Sequence, residues 1–268
     1  MEQDLLHAAL VGNVAKMLSL LRKHPGINVN WQDTNQWTAL HCASHTGEIE
    51  AVKALLVHPH VSVNVKESIE RTPFSLACEY GRVSVVRVLL KDPRVDITLE
   101  DNKGRTPLWS AAHNRCCEVV GWLIASGRDL GDVENKKGKW GNQDYTAIEI
   151  ARGEKGAKVV ELLERFIANP IQTRHEVCVK LGFPDELAAE LYAATVFLCD
   201  DLLQLKPALV SSNSPAVRFF AIAKRLPMEL QMVLCHRVVG SRKQNILRKD
   251  SEAAFKSLAK TLLSPNEP

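Results

Sequence analysis

No apolar run in the sequence approaches the roughly 20 residues that a membrane-spanning helix requires. The nearest, LAAELYAATVFLC, is short and carries Glu190. Phosphate-loop (GxxxxGK followed by Ser or Thr), GxSxG and HExxH patterns are all missing, which removes the commonest sequence signatures of nucleotide, serine-hydrolase and zinc-protease chemistry. The stretch KKGKWGN has two glycines but does not read as joining a strand to a helix. Seven cysteines are present, an odd number, and none forms a CxxC pair, so neither a zinc site nor a disulfide framework is expected. Cys235 and His236 are sequence neighbours and would point about 100° apart on a helix, a poor nucleophile–base pair. The net charge is only +3, which argues against nucleic-acid binding by bulk electrostatics. The opening MEQDLLHAAL is acidic and amphipathic, unlike a secretory leader. No catalytic residue, cofactor, metal or membrane is therefore assigned, and an enzyme is not expected. The thiols read as reduced and mostly packed, which points to the cytoplasm and leaves the nucleus open.

What the sequence does have is repetition. Thr38, Thr72 and Thr106 are spaced by 34 residues and open the stretches TALHCAS, TPFSLAC and TPLWSAA. An earlier copy, LLHAALVGNVAKMLSLL, places His7 34 residues before His41. A later one, TAIEIAR, starts at Thr146 after an enlarged spacing that holds DLGDVENKKGKWGNQDY. Each copy reads as two short helices. The Thr can cap the first, and Pro73 or Pro107 fits its first turn. Leu108, Ala111 and Ala112 fall on one face. Gly12, Gly47 and Gly81 suit a left-handed end to the first helix, whereas the fourth copy has Arg115 there, so that turn is expected to be strained or differently shaped. Val83, Val86, Leu89 and Leu90 form the second helix's stripe. No copy can bury its apolar face alone, so the copies must stack.

A period of 33 or 34 with T-P-L-H-x-A resembles the ankyrin repeat. The resemblance covers about two thirds of the chain and implies an all-α solenoid of about five helix pairs over residues 1–170. It implies structural hydrogen bonds for His7 and His41, whose position becomes Ser75, Trp109 and Glu149 in other copies. It also implies binding of another protein in the groove lined by the first helices and the turns before each Thr. Carried over by position, the contacts are Thr34, Asn35, Trp37, His45 and Thr46; then Ser68, Ile69, Arg71, Glu79 and Tyr80; then Asn102, Lys103, Arg105, His113 and Asn114; and Trp140 and Tyr145 in the enlarged turn. Trp37, Tyr80 and Trp140 stand out because the repeat needs no bulk there and interfaces favour such anchors. Local packing is the alternative for each.

Residues 171–268 leave the period but stay helical in composition, with Pro184, Pro207, Pro215 and Pro227 as boundaries, and are expected to form a helical C-terminal domain. The segment LPMELQMVLC resembles the start of an F-box-like domain. That resemblance implies docking on a ubiquitin-ligase adaptor subunit through Leu226, Pro227, Glu229, Leu230, Val233 and Leu234, and hence a substrate-adaptor role. The alternative is that these residues are ordinary core. Lys224 to Lys249 is basic, but no aromatic residue lies there to stack bases. A C-terminal enzyme or nucleic-acid module targeted by the repeats is the rival reading.

Overall fold

In the computed structural model, the residues described are 1–182, 189, 191–196, 223, 228–238, 246, 251 and 254. Backbone packing divides the chain into two compact units, Met1–Val177 and Cys178–Pro268.

The first unit is an array of helix pairs: α1 (Glu2–Leu10) and α2 (Val14–Lys23), α3 (Ala39–Thr46) and α4 (Ile49–Leu56), α5 (Pro73–Glu79) and α6 (Val83–Lys91), α7 (Pro107–His113) and α8 (Cys117–Ala125), and α9 (Ala147–Gly153) and α10 (Ala157–Ala168). First helices pack on first helices, α1 on α3, α3 on α5, α5 on α7 and α7 on α9. Second helices form a parallel layer through α2, α4, α6, α8 and α10. The core lies between the layers. Leu40, Ala43, Leu76, Ala77, Leu108, Ala111 and Ala112 supply the first layer and Val52, Leu55, Val86, Leu89, Val120 and Leu123 the second. In α6 the buried stripe is Val85, Val86 and Leu89. Val83 and Leu90 are only half-buried, since Val83 opens the helix beside the turn.

The predicted caps form. The hydroxyls of Thr38, Thr72, Thr106 and Thr146 each accept from the backbone N–H three residues on. His41 and Glu149 return the bond to their own Thr and close capping boxes. His7 does not take this role. Helix α1 begins at Glu2, so His7 falls in the last turn of the helix, past the third helical position of a cap, and its side chain is exposed.

The turn between the helices keeps one shape in every copy. Gly12, Gly47 and Gly81 have φ of 66°, 93° and 63°, and Arg115 and Lys155 take the same left-handed conformation at 58°. The fourth turn is thus strained but not reshaped, because the following helix must enter the second layer in register. A side chain in this region costs about 1 kcal/mol that glycine avoids. Arg115→Gly is expected to raise the unfolding free energy by about 0.5–1 kcal/mol, measured by urea denaturation.

Polar staples join neighbouring copies along the loops. Asn30 donates to His60 O (2.7 Å) and accepts from Ser62 N (2.8 Å); Asn64 does the same with Arg94 O (2.8 Å) and Asp96 N (2.9 Å). Arg94 reaches back to Leu56 O and Arg174 to Ile124 O, so two second-helix ends are capped from the segment that follows, while Arg128 reaches Val95 O in the loop after α6. Arg174 belongs to α11 (Pro170–Lys180). Among the described residues the only strands form an antiparallel hairpin, β1 (Lys137–Trp140) and β2 (Gln143–Thr146). It occupies the enlarged spacing and runs straight into α9, so KKGKWGN does include a strand.

In the second unit, residues 191–196 are helical, and α12 spans Met228–Val238. Tyr192 and Cys235 are buried together with Leu191, Val196, Met232 and Ile246 around them. Burial pushes the Cys235 thiol up to about 11, so no thiolate stands beside His236. Leu226 and Pro227 lie outside the described residues. Glu229 and Leu230 are helical in backbone, their side chains undescribed; Val233 and Leu234 are half-buried. Among the described side chains of α12, those buried are Gln231, Cys235 and His236.

Candidate interaction face

The turn before each first helix folds as a finger with one recurring internal bond pattern. Asp33 accepts from the backbone N–H of Asn35 (2.9 Å) and Trp37 (2.8 Å); Glu67 from Ile69 (3.2 Å) and Arg71 (3.2 Å); Asp101 from Lys103 (2.9 Å) and Arg105 (3.0 Å). The fingers are then tied side by side by backbone bonds: Ser68 N to Asn35 O (3.2 Å) and Asn102 N to Ile69 O (3.1 Å). The hairpin continues the row through Lys139 N to Lys103 O (2.9 Å). Close approach there depends on Gly138, since a Cβ would lie 2.6 Å from Arg105 Cγ and 3.1 Å from Arg105 Cα. The result is a fixed row of tips leading into the surface of the first helices.

Thr34, Asn35, Ser68, Asn102 and Lys103 are exposed at the tips, and Ile69 is half-buried. Thr46 is half-buried with its hydroxyl on Cys42 O (2.9 Å), and Asn114 is exposed with its amide on Ser110 O (3.0 Å). Two of the expected contact residues are also paired within the fold. Arg105 is only 9% exposed and its Nε donates to Asp101 at 2.6 Å. Arg71 pairs with Glu67 at 2.9 Å and Glu79 at 3.0 Å. Arg71 ties its finger to α5 through Glu79, and Arg105 closes its own finger on Asp101 four residues earlier.

Two aromatic clusters flank the Arg71–Glu79 pair. In one, the Trp37 ring packs on His41 (6.2 Å) and edge-on to His45 (5.3 Å), and His45 packs edge-on to Tyr80 (4.3 Å). In the other, Trp109 stacks on His113 (5.3 Å), which packs against Trp140 (4.3 Å). His45 and His113 are equivalent positions two periods apart. Burial lowers the pKa of both; Arg82 and Arg71 add to the effect on His45, while Glu154 opposes it on His113. Both rings are therefore neutral at pH 7. Tyr80 and Trp140 remain 45% and 44% exposed. Tyr145 is half-buried and its hydroxyl meets Gln143.

Trp109 has a role that its identity hides. It occupies the position of His41, and its indole N–H donates to Tyr145 O at 2.8 Å. The His41 Nε2 meets Arg71 O at 3.2 Å in the same relation to the next copy. Both carbonyls belong to the residue just before a capping Thr. An indole thus replaces an imidazole as the donor between copies, and periodicity at position 109 was the signal available for it.

Among the described residues no group of three or more His, Cys, Asp or Glu is placed to hold a metal, and no helix is long and apolar enough to cross a membrane. A family model for ankyrin repeats in three copies matches residues 1–67 and 55–134, half of the 268-residue chain. No curated protein matches it.

Proposed function

The chain belongs to the ankyrin-repeat family, and on that premise we propose that it works by binding another protein along the row of fingers and the adjoining helix face, without chemistry of its own. Ankyrin repeats generally mediate protein–protein interaction, and their loops project side by side to build one surface. The observation that carries the reading is the pair of half-exposed rings, Tyr80 and Trp140, each seated 4.3 Å from a neutral histidine on the same face. Large rings held rigid at a surface lose little freedom on binding and act as anchors.

Site-specific photocrosslinking tests the location. A benzophenone side chain at Asn35 or Asn102, both exposed at finger tips, is expected to capture the same protein in the cell of origin. The same probe at Lys53, exposed on α4, is expected to capture none of it. Capture from Lys53 with none from the tips would reverse the assignment.

A further inference from the structure

We infer that the segment bound on this face is an extended, uncharged stretch that sets one apolar side chain on Tyr80 and a second, six residues along, on Trp140. This rests on the binding role proposed above and adds the chemistry of the partner.

Charge comes first. Most ionised groups of the face already have opposite charges beside them. Arg71 lies between Glu67 and Glu79, and Arg105 on Asp101. At the tips, Lys66 meets Glu70 at 3.2 Å and Lys136 meets Glu100 at 2.6 Å. Lys139 stands opposite Asp144 in the hairpin register. Glu149, held low first by the Thr146 amide, also feels Lys137. Lys103, and Arg82 whose Nε donates to the His45 carbonyl, add little field to such a balanced surface. A strongly acidic or basic partner would have to displace existing pairs, so complementarity favours an uncharged one.

The unmatched groups are aromatic. The Tyr80 hydroxyl and the Trp140 indole N–H make no hydrogen bond to any described residue, whereas the buried Trp109 uses its N–H inside the fold. Each exposed ring offers an apolar face with one free polar tip, the form that interface anchors take. Their supporting histidines sit two periods apart. With neighbouring helices spaced about 8–10 Å, the two rings are roughly 16–20 Å apart. An extended chain advances about 3.3 Å per residue, so positions i and i+6 span about 20 Å and point to the same side.

The polar groups along the finger row favour an extended chain over a helix. Asn102, between the two rings, and Thr34 and Asn35, in the finger before Tyr80, are exposed, and their side chains have no hydrogen-bond partner among the described residues. They can meet the peptide groups of an extended segment, which a helix would already have satisfied internally.

The test is selection of random ~12-residue peptides on the full chain, long enough to span both rings when extended. It is followed by titration against wild type, Tyr80→Ala and Trp140→Ala at about 50 and about 500 mM NaCl. Unchanged thermal melts will show that both variants stay folded. The expected consensus is two apolar side chains six positions apart. Each variant should bind roughly tenfold or more weakly, and Kd should move less than about threefold with salt. Enrichment of charged peptides with steep salt dependence, equal binding to both variants, or no enrichment would overturn the inference. Crosslinking from Asn35 and Asn102 is independent of peptide chemistry, so its success beside such a failure would leave the binding role standing.

Discussion

Arg105→Leu is expected to lower the unfolding free energy by about 3–5 kcal/mol, the usual penalty for leaving one member of a buried ion pair alone. The residue is in the wall of the third finger, the one before α7. Its Nε lies 2.6 Å from Asp101, whose side chain is only 1% exposed. The same carboxylate accepts the backbone N–H groups of Lys103 and Arg105, and the guanidinium lies over Trp109 at 5.6 Å. Removing the cation strands a charge among groups that set the shape of the tip, and the Lys103 carbonyl on that tip holds the hairpin. The contrast is the exposed pair of Lys53 and Glu50 at 2.8 Å, where Lys53→Ala is expected to cost less than about 1 kcal/mol. Urea denaturation of both variants makes the comparison. A loss under about 1 kcal/mol for Arg105→Leu would mean that the pair does not hold the finger.

Acid should weaken the array through His41. Its ring is fully buried, and burial pushes its pKa from 6.5 down to about 4. The hydrogen bonds explain why the proton is refused. Nε2 must carry hydrogen to donate to Arg71 O, which leaves Nδ1 to accept from Thr38 N at 3.2 Å. A second proton would break the capping box. Between the two pKa values the unfolded chain binds a proton that the folded chain does not. Stability from this residue is thus fully present above about pH 6.5 and falls away as pH drops towards 4. By pH 5 the expected loss is about 2 kcal/mol. In His41→Gln this share of the pH dependence should vanish, while the smaller contributions of His45 and His113, whose pKa values are also lowered, remain. Equal pH slopes in the two proteins, measured by urea titration from pH 7.5 to 5, would contradict the assignment.

The capping threonines and the layered helix pairs were legible because both are local. A Thr at a helix start and an apolar stripe need no knowledge of what lies 30 residues away. The internal pairing of the finger arginines was not legible, because the repeat alone supplied only their position. The pairing of Arg105 with Asp101 depends on a backbone turn that brings residues four apart face to face. The hairpin was missed for a related reason. Four-residue strands rich in Gly and Lys carry little strand signal, and β1 is held in place by Lys103 O in the preceding finger. Trp109 read as a lapse from the motif, yet an indole N–H can do what an imidazole N–H does. Tyr80 and Trp140 were singled out by size alone. Their seating on His45 and His113 appeared only when the copies were stacked.

Stacking is the claim on which the fold and the recognition face both depend, and amide hydrogen exchange tests it most directly. Ser68, Asn102 and Lys139 are exposed residues at finger tips or in the hairpin, and their N–H groups are bonded only to the carbonyl of the preceding finger. In the native full chain all three amides are expected to exchange far more slowly than the amide of Thr34, an exposed tip residue whose N–H has no hydrogen-bond partner among the described residues, protected to the extent that neighbouring copies stay in register. Exchange of the three at the free-peptide rate, with the helices still protected, would show that the fingers are not joined and would contradict the stacked array.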